Sequence, residues 1–406
     1  MNYSLSGNWQ VQLKDGTNHL MMLPGTLDEN HIGYEDKVTK SWHPDETLGN
    51  GNESLDSQTN ISSRFTRKYT YEGEAQITRW ISYNPPIEKR IFLEVERARC
   101  LILLIDDKKV LDFTEQTIST PHIFEVTKLL NGNNKVTFIS DNSYPQLPHD
   151  EIINSSAATD ETQTNWNGLL GYIRLREENS VFISSIRVYP RHGMLKVEIE
   201  ISVEASYIGE ITVKSDALFE SKTMKVSLLA GLNRVVFENV SLVEDILCWD
   251  EYEGNLYELT ATMTDGETKK VIFGVRDFGN NGKGKLAINN RTIFLRGETN
   301  CAEFPETGYS PMKVEAWIII LKVYQSYGVN CVRFHSHCPP DAAFTAADQV
   351  GMLMQPELSH WAPQNAFVSD ESFEYYKKEL KEVILMLANH PSFVMLTLGN
   401  ELATND

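Results

Sequence analysis

The sequence is short of cysteine, of long apolar runs and of positive charge. Cys100, Cys248, Cys301, Cys331 and Cys338 are its five cysteines. They are odd in number and scattered, with no Cys-x-x-Cys pair. They read as mostly free thiols, not as a disulfide framework or a zinc site. No run of 18 apolar residues occurs, so no membrane-spanning helix is expected. Met1 to Gln10 lacks a basic start and an apolar core, so no signal peptide is expected. That leaves the compartment unknown: periplasmic or secreted if a signal is trimmed, cytoplasmic otherwise. Lys and Arg number 37 against 56 Asp and Glu, and the net charge of −19 has no basic patch to offset it, which argues against nucleic acid. What is present is ordinary globular composition, and 406 residues allow two to four domains.

Residues 1–188 carry short alternating runs separated by turn residues, as in Ile91 to Glu96. Asp106-Asp107-Lys108 reads as a hairpin turn between Leu101–Ile105 and Lys109–Phe113. Asn131-Gly132-Asn133-Asn134 is a further turn, followed by a strand over Lys135–Ser140. The pattern predicts a β-sandwich in jelly-roll form. Two long polar stretches interrupt it, His43–Ser63 and Asp141–Gly168, and loops of that length are usually functional or disordered. The second holds Gln163-Thr164-Asn165-Trp166-Asn167-Gly168. A Trp ring can stack on a sugar and an amide can bond its hydroxyls, so Asn165 and Trp166 are candidate sugar contacts. Equally, Trp166 can plug the edge of the sandwich.

Residues 189–277 predict a second, immunoglobulin-like β-sandwich. Leu195, Val197, Ile199, Ile201 and Val203 alternate with polar residues, a strand with one wet face. Further strands are expected over 210–215, 234–238, 257–263 and 270–275, with Asp265-Gly266 as a hairpin turn. The unit offers no chemistry and reads as a spacer.

From 278 the pattern changes. A hairpin around Asn289-Asn290-Arg291 makes 292–295 the first strand. Ser310 and Pro311 predict the start of a helix that Gly328 ends. A strand over 329–334, a helix from Pro340 to Val350 and a strand over 352–358 follow. Ser369 is expected to cap a helix burying Phe373, Tyr376, Leu380, Ile384 and Leu387. Phe393–Leu398 reads as a buried fourth strand, which Gly399 ends before Asn400-Glu401. The alternation β-α-β-α-β-α-β predicts a parallel sheet. Four strands in residues 278–406 make the first half of a (β/α)8 TIM barrel, since a whole one needs roughly 250 residues. A carboxylate at the carboxyl end of such a strand is where these barrels place chemistry.

Three segments resemble glycoside hydrolase family 2, the group of β-galactosidases and β-glucuronidases. They are Leu5–Trp9 with Leu23–Asp28, then Gln163–Gly171, then the run Gly328–Arg333, Ser336–Pro339 and His390–Glu401. The resemblance implies a retaining exo-glycosidase cleaving a terminal, β-linked sugar in carbohydrate metabolism. It implies that Glu401 is the general acid/base, that Asn400 bonds the sugar 2-hydroxyl and that Arg333 lies on the active-site floor. A histidine contacts the sugar; one extra residue after Arg333 leaves His335 and His337 competing for that role. The family's Gly-x-Asn-x-His-Glu is replaced here by Gly297-Glu298-Thr299-Asn300-Cys301-Ala302-Glu303. Retention needs two carboxyl groups roughly 5–5.5 Å apart, a proton donor and a nucleophile. The family's nucleophile lies on a later strand, so the chain as given is expected to be an inactive fragment. Glu357 and Glu303 are weaker candidates, better suited to structural roles such as pairing with Arg333.

Two other function classes remain open. One is a non-catalytic carbohydrate-binding protein working through the jelly roll. The other is a metal-dependent hydrolase using His335 and His337 with Cys338, His360 or Glu357, though no standard ligand spacing occurs. No metal and no cofactor is implied, apart from the divalent cation that some family members hold beside the acid/base. The expected partner is a glycoside or oligosaccharide. The open edges of a half-barrel allow a homo-oligomer.

Overall fold

The computed structural model describes residues 2–35, 68–112, 116–159, 164–191 and 193–403. The polar stretch His43–Ser63, with Phe113 and Gln163, lies outside them. The chain is mostly β-sheet. A six-stranded antiparallel sheet runs in the order Lys108–Val110, Cys100–Ile105, Gly132–Asp141, Glu74–Tyr83, Gly7–Leu13, Asn18–Leu23. It faces a five-stranded sheet built from Asn2–Ser4, Gly168–Glu178, Arg90–Arg97 and His122–Glu125, with Gly25–Thr26 paired to the Gly168 strand. One core that includes Trp9, Leu93, Leu103, Phe138 and Leu175 fills the space between them. The Asp106-Asp107 turn forms because both residues take positive φ (48° and 63°), the two-residue hairpin geometry that Asp tolerates. Within the polar stretch 141–168 the sequence reading missed a short helix, His149–Asn154, whose Ile152 is fully buried.

A second core lies between a three-stranded sheet (Val181–Arg191, Met194–Val203, Gly231–Ser241) and a four-stranded one (Lys222–Leu228, Tyr207–Lys214, Tyr257–Met263, Thr268–Phe273). The strand Val181–Arg191 runs across position 188, where the sequence places a boundary. Ile183, Ile186 and Val188 all pack into the second core, so the whole strand goes with it. The supposed wet face of Met194–Val203 is covered. Glu198 is buried beside Lys196 and Arg234, and Ser202 accepts a 2.6 Å hydrogen bond from Arg90 of the first sandwich.

From Gly297 onward the described residues build parallel β/α structure. Strand β1 is Gly297–Asn300, followed by helix α1 (Val314–Ser326), β2 (Cys331–Phe334), α2 (Asp341–Val350), β3 (Leu353–Gln355) and α3 (Asp370–Leu387). β1 pairs with β2 and β2 with β3, both in parallel. The first parallel strand is therefore Gly297–Asn300 and not 292–295, because Arg291–Thr292 is spent on an antiparallel hairpin with Leu286–Ile288. Helix α1 starts at Val314, later than Pro311, whose carbonyl instead accepts the Trp317 indole N–H at 2.7 Å. The expected ends of α2 and α3 hold: Gly351 is left-handed (φ 79°), and the Ser369 hydroxyl accepts the Ser372 N–H.

Two expectations are corrected in this region. The buried face of α3 is Ser372, Tyr375, Tyr376, Glu379, Val383 and Leu387, while Phe373 and Ile384 are exposed. The face is rotated because Glu379 is drawn inward by hydroxyl groups of Ser119 and Ser359, each at 2.6 Å. Phe393–Leu398 is not a continuous buried strand. It follows β3 through isolated parallel bridges, Met354 to Phe393, Glu357 to Thr397 and Trp361 to Asn400. Three residues oppose four, and then four oppose three, so the ladder bulges twice. Pro356 also has no N–H to give it. The segment is only partly covered, and Leu398 is 44 % exposed.

Candidate active site

The carboxyl ends of β2, β3 and the bridged segment 393–400 meet in one mouth. Its floor is Arg333, the third residue of β2. Arg333 Nε donates to Glu357 Oε1 at 2.6 Å and Nη2 donates to Asn400 Oδ1 at 2.8 Å. Glu357 is 1 % exposed, and its other oxygen accepts the Ser336 N–H at 2.7 Å. Both of its carboxylate oxygens are therefore held by donors. Asn400 is buried, and its own N–H is bound to the His360 carbonyl at 2.9 Å. Gly399 makes that approach possible. At φ 138° it lies so close that a Cβ would sit 2.3 Å from the His360 oxygen.

Glu401 stands at the rim. It is exposed and in the left-handed region (φ 47°), and the Trp361 indole N–H donates to its Oε2 at 3.0 Å. The rings of Trp361 and His335 stand nearly perpendicular, with centroids 5.4 Å apart. Burial, and then the Arg333 charge, push the His335 pKa down, so the ring is neutral at pH 7.

The two competing histidines separate. Strand β2 ends at Phe334, and Ser336 turns the chain with φ 45°, so strand alternation does not hold His335 and His337 on one face. His335 faces Trp361. His337 is 3 % exposed and donates Nδ1–H to the His335 carbonyl at 3.0 Å. It lines a cavity of about 20 Å³ with Arg97, Arg99, Trp166 and Cys338, between the first sandwich and the β/α region. Burial lowers its pKa to about 4.

Trp166 is 6 % exposed beneath the Arg99 guanidinium, 4.0 Å from the ring centroid. It is a packed residue and not an open stacking platform. Asn165 also bonds inward, accepting from Tyr144 Oη at 2.7 Å and donating to the Asn142 carbonyl at 2.9 Å. Glu303 is exposed beyond the end of β1. Neighbouring Cys301 has its thiol pushed up to about 11, by burial first and by Glu303 second, so it stays protonated. Among the described residues no three His, Cys, Asp or Glu side chains gather to hold a metal ion. His360 is stacked on Tyr376, ring centroids 4.0 Å apart.

Sequence reasoning missed Trp361 and Ser156. The signal for Trp361 was the polar run Glu357-Leu358-Ser359-His360-Trp361 just past a parallel strand. Nothing local marks Ser156, which comes from the first sandwich and reaches His335 at 3.0 Å.

No protein-family model matches the chain. Among curated proteins it is 24 % identical over 319 residues to an exo-β-D-glucosaminidase of Amycolatopsis orientalis, covering 70 % of this chain and 30 % of that protein. It is 28 % identical over 199 residues to a β-galactosidase of Lactococcus lactis, covering 46 % and 19 %. The chain thus spans less than a third of the length of these relatives. Among solved structures it matches a family 2 β-galacturonidase of Eisenbergiella tayi with TM-score 0.73 and 17 % identity, over 98 % of this chain and 64 % of that one. A β-glucuronidase of Bacteroides uniformis gives TM-score 0.75 and 16 % identity, over 100 % and 47 %. The chain is like the family 2 glycoside hydrolases. That likeness spans the β sheets and the parallel β/α region together, and the mouth of this family-2-like chain lies in the latter.

Proposed function

We propose that this chain carries the acid/base half of a retaining exo-glycosidase site for a terminal β-linked sugar such as a galactoside or glucuronide. The observation that carries it is the pair Asn400-Glu401. Asn400 is fixed on Arg333, and Glu401 is presented at the rim by Trp361. In this reading Glu401 gives its proton to the glycosidic oxygen as the bond to the anomeric carbon breaks. It then takes a proton from the water that releases the sugar. Asn400 bonds the 2-hydroxyl with the amide nitrogen, since Arg333 occupies only its oxygen. Arg333 shapes the floor, and His335, in preference to His337, contacts the sugar.

The second carboxyl group is the nucleophile, and we place it outside these 406 residues. Glu357 has both oxygens engaged, and Glu303 lies exposed past β1. The same reading divides the chain into a jelly roll over residues 1–188, with its boundary moved to about 180, an immunoglobulin-like sandwich to 277 and the first half of a (β/α)8 barrel. A glycoside substrate, and self-association through the open β/α edge, are the partners it implies. The names of the relatives, all enzymes acting on sugars, support the reaction class.

The test is hydrolysis of a panel of glycosides with poor leaving groups, by this chain and by Glu401→Gln. The expected result is no turnover by either. Turnover that vanishes in Glu401→Gln would put the nucleophile within the chain. Turnover that survives in Glu401→Gln would remove Glu401 from the acid/base role.

A further inference from the structure

The His335 side chain is held by two different parts of the fold. Its Nδ1 lies 3.1 Å from Ser336 Oγ, in the turn after β2, and 3.0 Å from Ser156 Oγ, in the first sandwich. The direction of the first contact follows from the donors and acceptors present. Ser336 is 0 % exposed, and its oxygen already accepts the Ser156 N–H at 2.8 Å. A buried hydroxyl nearly always places its own proton on an acceptor. For Ser336 that acceptor is His335 Nδ1. A neutral imidazole that accepts at Nδ1 carries its proton on Nε2. His337 is fixed in the opposite sense, since its Nδ1 faces a carbonyl, which can only accept. The two histidines, two residues apart, thus hold opposite tautomers.

We propose that Ser156 and Ser336 are positioning residues that lock His335 as an Nε2–H donor, aimed at a hydroxyl oxygen of the terminal sugar beside Trp361. This deepens the glycosidase reading and rests on it for the identity of the acceptor, but the tautomer lock stands on the geometry alone. Its consequence is that the first sandwich is part of the site. Ser156 orients Ser336 through its N–H and reaches His335 through its hydroxyl, so displacing residues 155–156 releases the ring. The segment that leads into Ser156 is anchored twice. Ser155 Oγ donates to the Ile152 carbonyl at 2.6 Å, and the Trp361 N–H bonds to the Glu151 carbonyl at 3.2 Å. One short segment of the sandwich therefore supports both aromatic rings beside Glu401.

The experiment is long-range proton–nitrogen correlation NMR of the full chain labelled with ¹⁵N-histidine at pH 7, with His335→Gln to assign the signal. We expect His335 to show an unprotonated Nδ1 and a protonated Nε2, and His337 the reverse. Ser336→Ala should shift the His335 tautomer ratio by roughly fivefold, the weight of one net hydrogen bond. Ser156→Ala should shift it less, and Ser156→Thr, which keeps the hydroxyl, should restore it. The signals of His337 and His390 report whether each variant is folded. A His335 ring protonated at Nδ1, or a ratio indifferent to Ser336→Ala in a folded chain, would overturn the proposal. Neither outcome depends on turnover, so failure here leaves the acid/base reading of Glu401 to its own test.

Discussion

On the floor of the mouth Arg333 is gripped from two sides, by Glu357 and by Asn400, and Glu357 has almost no exposed surface. One residue past Asn400, at the rim, Glu401 is exposed and its carboxylate is met by the Trp361 indole. The floor is a fixed frame and the rim a presented group. Breaking the Arg333–Glu357 pair is costly on the Glu357 side, because the buried carboxylate alone is left as an uncompensated charge. An exposed carboxylate is cheap to change. The residues that hold the site together are thus not the one presented at its rim.

Mutation can break this contrast. The largest effect is expected from Arg333→Ala, which strands Glu357 in the interior with only the Ser336 N–H, at about 3–5 kcal/mol. Glu357→Ala should cost less, because the Arg333 side chain is 35 % exposed and can turn to water. Urea unfolding of both variants checks the order, and the reverse order would show that the floor is held from the other side. Trp166→Ala should also cost about 3–5 kcal/mol by emptying a packed site, again read by unfolding. A small loss there would return Trp166 to the role of an open sugar platform.

Glu379 sharpens the comparison, since it is buried among hydroxyl groups where Glu357 is paired with a guanidinium. Burial raises its pKa, against the pull of its bonds to Ser119 and Ser359. The folded state therefore holds this proton more tightly than the unfolded chain. Stability falls as pH rises from about 4.3, the ordinary Glu value, through the raised native value. Unfolding of Glu379→Gln followed from acid to neutral pH should show a flatter profile than wild type. A parallel profile would mean that Glu379 is ionised at little cost. The smallest effect belongs to the rim: Glu401→Gln should change unfolding by no more than about 0.5 kcal/mol. A larger loss would make Glu401 part of the frame.

What was legible in the sequence was whatever local chemistry dictates. Asp106-Asp107 makes its hairpin turn, Ser369 caps its helix and Gly351 ends another, each through its own backbone preference. The break at Gly399 was legible in the same way, because its positive φ (138°) and close approach to His360 suit only a glycine. What was hidden depends on distant partners. The face of α3 turned inward because serines from two other segments needed Glu379. The fourth strand broke into bridges because its ladder bulges twice and Pro356 has no N–H to give it. His335 and His337 could not be separated without the left-handed turn at Ser336, and Ser156 reaches the mouth across 179 residues of chain.

We propose that sugar recognition by this chain centres on Glu401. Calorimetric titration with basic iminosugars tests that most directly, because such cations seek the carboxylate that serves the reaction and need no nucleophile. Affinity is expected to fall at least about tenfold, roughly 1.4 kcal/mol, in Glu401→Gln and to stay unchanged in Asn165→Ala. Binding indifferent to Glu401→Gln but lost in Asn165→Ala would contradict it, and would make the chain a sugar-binding protein that works through its first sandwich.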